Sequence, residues 1–177
     1  MNNNKMKKFR TSYPITTALN PRDALYGGRT EVFSTYKKIT NTLSCSRMNY
    51  FDIMSLYPSV NLFDDYPINH ETRYYNQKKW KTDWFGLAKI SILPPRKLYH
   101  PVLPMKINNK LIFTLCYKCA EINNQNICNH LNNDRELHGT WSTIEINKAI
   151  ELGYKIPVGQ IHEVWDFKKR SNEIFAG

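Results

Sequence analysis

Apolar positions fall into a few short runs along this 177-residue chain, separated by polar stretches rich in Asn and Lys. The first clear run, "MNYFDIM" (48–54), reads as a strand with one acid, Asp52, set in it. Leu56 to about Phe63 then reads as a helix ending at "DDYP", because Pro67 cannot continue it. Residues 69–82 are polar and basic and read as a connection. "DWFGLAKISIL" (83–93) is a strand pattern stopped by Pro94-Pro95, and "KLIFTLCY" (110–117) is another. "INNK" joins the latter to "HPVLPMKI" as a hairpin. "STIEINKAIELGYK" (142–155) is the clearest helix. Its apolar residues recur at helical spacing, Ser142 and Glu145 fit a capping box, and Gly153 ends it. "HEVWDF" (162–167) resumes a strand pattern. Strands, hairpin-like connections and a few helices predict an α+β fold, a mostly antiparallel sheet covered by helices on one side.

Two further segments complete the division of the chain. Residues 1–20 read as a flexible basic segment, with 21–177 as the folded body. "NPRDALYGGRTEVF" (20–33) reads as a turn, a glycine pair and a short β-like run.

Charge sharpens the picture. The net charge is +10, and most of it lies in residues 1–50, which hold nine Lys or Arg against two acids. A basic end beside a near-neutral body suits a polyanion such as nucleic acid; a solvated basic tail is the plainer reading. No run of about 18 apolar residues is present, so no membrane-spanning helix is expected. "MNNNKMKKFR" has no apolar stretch after its basic residues, so an intracellular rather than secreted protein is expected. Four cysteines without a secretory signal argue against a disulfide framework.

Asp52 carries the chemistry. A carboxylate at a strand end can hold a hard divalent cation, which prefers oxygen ligands. The turn leads into a helix whose first N–H groups lack internal partners and can face a phosphate. Ser55 adds a hydroxyl and Tyr57 a flat ring. These are parts for a nucleoside triphosphate. The plainer reading makes Asp52 or Ser55 a helix cap and Tyr57 a core residue.

The word Asp52-Ile53-Met54-Ser55-Leu56-Tyr57-Pro58-Ser59 resembles motif A, D-x-x-S-L-Y-P-S, of family B DNA polymerases. The resemblance implies that Asp52 is one of two metal-binding catalytic aspartates. It implies that the Ile53 carbonyl lies near a Mg²⁺ (or Mn²⁺) ion, that Ser55 and Leu56 hold the dNTP triphosphate, and that Tyr57 stacks under the sugar. "YGGRTE" (26–31) is similar to the Y-x-G-G motif of the protein-primed branch, with the x missing here. That likeness implies DNA contact by Tyr26, Gly27, Gly28 and Arg29; an ordinary Gly-Gly turn with an exposed Arg is the alternative. "LIFTLCYKCAE" through "IHEVWDF" looks like the segment after motif A in polymerases of Polinton/Maverick-type mobile elements and related phage- and adenovirus-type enzymes.

The family's second aspartate motif, Y-x-D-T-D-S, and its K-x-x-x-N-S-x-Y-G helix are not in this sequence. The expectation is therefore a partial palm, acting in an intact DNA-directed DNA polymerase on template and primer, with a terminal protein as first primer. The fragment by itself is expected to be inactive.

Cys116, Cys119, Cys128 and His130 supply three sulfurs and an imidazole within one polar loop, a candidate structural Zn²⁺ site. Reduced cytosolic thiols are the alternative, and Cys45 stands apart. A competing function follows from this loop: a non-catalytic, zinc-braced nucleic-acid-binding module from a decayed mobile element. Trp80, within "QKKWKTD", is a candidate base-stacking residue, while Trp84, Trp141 and Trp165 read as core. Lys78, Lys79 and Lys81, and Lys168-Lys169-Arg170, can meet phosphates or solvent. His70, His100, His138 and His162 show no nucleophile–base pattern.

Overall fold

The computed structural model describes residues 17–32, 34–38 and 49–173. The elements in chain order are a 3-10 turn (Pro21–Ala24), α1 (Leu56–Phe63), β1 (Tyr66–Ile68), β2 (Thr72–Gln77), β3 (Gly86–Ile92), β4 (Pro104–Ile107), β5 (Lys110–Phe113), α2 (Tyr117–Glu121), α3 (Asn132–Arg135), β6 (Leu137–Ser142), α4 (Thr143–Glu151), β7 (Ile161–Asp166) and β8 (Lys169–Ser171). The fold is α+β with antiparallel strand pairs throughout the described residues, as expected. The chain forms two compact units. One takes residues up to Tyr26 and Asn69–Lys168, the other Gly27–Ile68 and Lys169 onward.

The larger unit is built on a four-stranded sheet, ordered β2-β7-β3-β6. Ala88, Ile90 and Ile92 alternate onto one face of β3, opposite Trp141, Leu137, Ile161 and Val164 from its neighbours. Ile146 and Ala149 of α4 and Leu103, Met105 and Ile107 of the β4–β5 hairpin complete this core. Trp141 Nε1 donates to the Pro104 carbonyl at 2.8 Å, so the largest core side chain is also hydrogen-bonded. Gly139 makes room for it: a Cβ there would stand 2.9 Å from the Trp141 ring.

Helix α4 forms as its sequence predicts. Ser142 accepts from the Glu145 N–H at 3.2 Å, and Glu145 accepts from the Ser142 N–H at 3.1 Å. At its far end the N–H groups of Gly153 and Tyr154 bond back to Ile150 and Ala149, with Gly153 at φ 91°. The helix thus runs to Glu151 and is terminated at Gly153, as the sequence predicts. The β4–β5 hairpin also forms, and Asn108 and Asn109 both take positive φ in its two-residue turn.

The other sheet face is polar. Ser91 Oγ lies 2.8 Å from His138 Nδ1 and 3.0 Å from His162 Nε2, linking β6, β3 and β7. His162 is the extra residue of a bulge in β7 against β3. Glu163 accepts from the Leu19 N–H and from Trp165 Nε1, while Lys89 donates to Thr17. Residues 17–20, within the segment expected to be flexible, are therefore held on the sheet; residues 1–16 lie outside the described residues. Trp165, expected in the core, stands on this polar face under the Arg73 guanidinium, 4.5 Å from its ring centroid.

Two other expectations change, and one strand forms where none was expected. Residues 69–82 are not only a connection, because Thr72–Gln77 forms strand β2 against β7. "RELHGTWS" yields β6, a strand without a clean alternating pattern. No strand forms over 49–54, where the backbone is irregular up to the turn at Met54 and Ser55; Met48 lies outside the described residues.

The smaller unit holds α1 and the two-stranded ladder β1–β8, in which Tyr66 pairs with Ser171 and Ile68 with Lys169. Helix α1 has the range the sequence predicts, yet none of its residues is buried.

Candidate functional site

Asp52 sits in the turn that enters α1, exposed to solvent and in no ion pair among the described residues. Ser55 is the residue before the helix and takes the left-handed conformation, φ 55° and ψ 33°. That region is uncommon for residues other than Gly, Asn or Asp. Its hydroxyl makes no capping hydrogen bond. Ser55 is thus not the helix cap of the plainer reading, and Tyr57, 81% exposed, is not core. The carbonyl of Ser55 accepts from the Ser59 N–H at 2.9 Å, closing the first turn. Leu56 and Tyr57 keep backbone N–H groups without an intrahelical partner, and Pro58 has none to offer. Ile53 and Met54 are exposed as well. The turn therefore presents one carboxylate, two or three backbone donors and one aromatic ring to solvent.

A divalent cation fits Asp52 only in part. Mg²⁺ is commonly held by one or two carboxylates together with substrate phosphates. Among the described residues, Asp52 belongs to no cluster of three or more metal-ligating groups. Asp64 and Asp65, at the other end of α1, are likewise in none.

The candidate DNA-contacting residues are divided between the two units. Tyr26 packs against the core of the larger unit, with the Lys106 ammonium 5.7 Å from its ring centroid. Together with Lys89 and Asp23 it lines a cavity of about 230 Å³. Gly27 begins the smaller unit. A Cβ at Gly28 would meet nothing within 4 Å, so open space surrounds it. The Arg29 guanidinium is ion-paired with Glu31 at 2.5 Å rather than standing alone. Trp80 is no free stacking platform. Its Nε1 donates to Asn147 at 2.7 Å and its ring meets Trp84 edge to face at 5.2 Å. Lys168 is ion-paired with the buried Asp166.

The second site is the cysteine loop. Sγ of Cys116, Cys119 and Cys128 and one ring nitrogen of His130 lie within 4.8 Å of one another. Cys116 is the residue before α2, and Cys119 lies in that helix's first turn, so the C-x-x-C pair is held by helical geometry. Burial pushes the Cys116 thiol up to about 12. Burial acts upward on Cys128 too, but hydrogen bonds from the His130 backbone and from Cys119, His130 and Cys116 outweigh it and bring that thiol to about 7. Cys45 lies outside the described residues.

Sequence reasoning missed the Ser91–His138–His162 link because its members lie on three strands. Burial lowers the pKa of both histidines, and on His162 the neighbouring His138 and Lys89 act in the same direction. Ser91 is 1% exposed, so this link fastens strands rather than meeting a substrate.

The architecture is α+β, with mostly antiparallel sheets and few helices. The family model described as DNA polymerase type B, organellar and viral, matches residues 14–175, and the chain belongs to that family. The family's reaction, synthesis of DNA in DNA replication, implies DNA and deoxynucleoside triphosphates as substrates. No curated protein and no solved structure matches the chain significantly. Among the described residues no helix is long and apolar enough to cross a membrane.

Proposed function

We propose that residues 52–57 are half of the nucleotidyl-transfer site of a protein-primed DNA polymerase. The observation that carries this reading is the left-handed turn at Ser55, which leaves Asp52 and Tyr57 exposed with neither a capping nor a core role. Strain at a non-glycine residue persists where the surroundings impose it, and it clusters at functional sites. Asp52 would supply one carboxylate to Mg²⁺ or Mn²⁺, and the Ile53 carbonyl lies next to it in the chain. The ion, when bound, neutralises charge on the phosphates of the incoming dNTP. The N–H groups of Ser55 and Leu56 face the triphosphate, and the Tyr57 ring lies against the sugar. The intact enzyme transfers a deoxynucleotidyl group from a dNTP to a 3′-hydroxyl on a DNA template, the hydroxyl oxygen bonding the α-phosphorus as pyrophosphate leaves, and the first acceptor is a hydroxyl of a terminal protein. Tyr26, Gly27, Gly28 and Arg29 contact the template strand, Arg29 exchanging Glu31 for a phosphate. A non-catalytic, zinc-braced binding module would use the Cys/His loop equally well, but it gives no role to the turn at 52–57.

The test is paramagnetic broadening by Mn²⁺ of the backbone amide signals of residues 52–57, with dATP present. Broadening confined to this turn is expected, and Asp52→Ala should weaken Mn²⁺–dATP binding at least about tenfold, which is about 1.4 kcal/mol. Salt-dependent DNA affinity should survive that substitution. Unchanged Mn²⁺–dATP binding in Asp52→Ala would sink the reading. The chain of 177 residues should not extend primers, because one carboxylate cannot hold two ions in reactive geometry.

A further inference from the structure

We infer that Cys116, Cys119, Cys128 and His130 form a closed structural Zn²⁺ site that braces the loop 116–130 internally, within the larger unit. The inference is independent of the turn at Asp52. Its basis is the shape of the cluster. With Zn–S near 2.3 Å and Zn–N near 2.05 Å, the S···N edge of a tetrahedral site is about 3.6 Å. His130 Nδ1 lies 3.5, 3.2 and 3.6 Å from the sulfurs of Cys116, Cys119 and Cys128. The three S···N edges are thus within a few tenths of an ångström of those zinc imposes, all four donor atoms lie within 4.8 Å of one another, and a single nitrogen faces all three sulfurs. One thiol hydrogen bond would not need that convergence.

The surroundings suit thiolates. The Cys119 N–H donates to Cys116 Sγ at 3.4 Å, and Asn124 Nδ2 donates to Cys119 Sγ at 3.4 Å. Such donors stabilise ligands that carry negative charge and fix their orientation. Arg96 donates to the His130 carbonyl at 3.3 Å, tying down the C-x-H end.

The segment also needs a fastening. Between 114 and 136 only Cys116 and Arg135 are buried, and α2 has no buried residue. Leu115, Tyr117 and Ala120 pack only partly against the core, and a metal would add to what this limited burial contributes. All four coordination positions come from the protein, so the site is structural and leaves no place for a reacting water.

The test uses the whole chain, purified reduced and without an immobilised-metal column. One zinc per chain is expected by elemental analysis. Replacement with Co²⁺ should give the visible bands of tetrahedral cobalt and a thiolate-to-cobalt charge-transfer band. Chelator should lower the thermal midpoint, and Zn²⁺, not Mg²⁺, should restore it. His130→Ala should abolish stoichiometric zinc. Asn124→Ala keeps all four ligands and should weaken zinc binding about tenfold. Asp52→Ala should still hold one zinc. Zinc well below one per chain, with no tetrahedral cobalt spectrum on adding Co²⁺ to the reduced protein, overturns the inference. So does full zinc content in His130→Ala. Should His130→Ala fail to fold, the cobalt spectrum and chelator titration of the unaltered chain decide alone.

Discussion

Arg135 is 3% exposed, and its Nη2 donates to the Pro94 and Pro95 carbonyls, both at 2.9 Å, with Leu115 O a weaker third acceptor at 3.3 Å. This one side chain ties the end of α3 to the chain leaving β3. Arg135→Met keeps most of the aliphatic stem and removes the donors, so its effect isolates the hydrogen bonds. Bonds from a charged donor are worth about 1.5–3 kcal/mol each, giving about 3–6 kcal/mol for the two good ones. Rotamer freedom recovered by releasing the arginine returns up to about 2 kcal/mol. A net loss of about 2–4 kcal/mol is expected. All four tryptophans lie in the larger unit, so their fluorescence in urea follows that unit alone. With a slope of about 2 kcal/mol per molar, the midpoint should fall by about 1–2 M. A shift below about 0.3 M would refute the reasoning and mean that the freed carbonyls find water at no cost.

The remaining predictions concern α4 and the polar sheet face. Ser142→Ala removes the capping box, and the same urea titration should show a loss of about 1 kcal/mol. The folded-state pKa values of His138 and His162 lie below the ordinary value, so the unfolded chain binds more protons. Their contribution to stability is complete above about pH 6.5 and is lost as pH falls from there through the folded pKa. His162→Gln should flatten the dependence of the thermal midpoint on pH between about 7 and 5; an unaltered slope would assign the acid sensitivity elsewhere.

Local chemistry was the part of the fold legible in the sequence. The α4 helix carries its own cap and its own terminating glycine, and the β4–β5 turn is written in Asn108-Asn109, so no distant residue is needed to read them. Strand β2 was not legible, because "TRYYNQ" is polar on both faces and becomes a strand only through the β7 edge beside it. The opposite failure occurred at 48–54, an apolar run that reads as a strand although residues 49–54 form none. The cysteine loop was readable because its four ligands lie close in sequence. The Ser91 link was not, because 47 and 71 residues separate its partners.

Two of the three crossings between the units, at residues 68–69 and 168–169, bear on the order of folding. Ile68 pairs with Lys169 in β1–β8, and Thr72 pairs with Asp166 in β2–β7. From an unfolded chain, closing β1 on β8 means closing a loop of about 100 residues. Once β2 has docked on β7, only the few residues outside that pair remain to be closed. Loop-closure entropy grows with the logarithm of length, so the difference is worth roughly 2.5 kcal/mol to the short ladder. Loop-closure entropy therefore favours pairing of β1 with β8 after β2 has docked on β7.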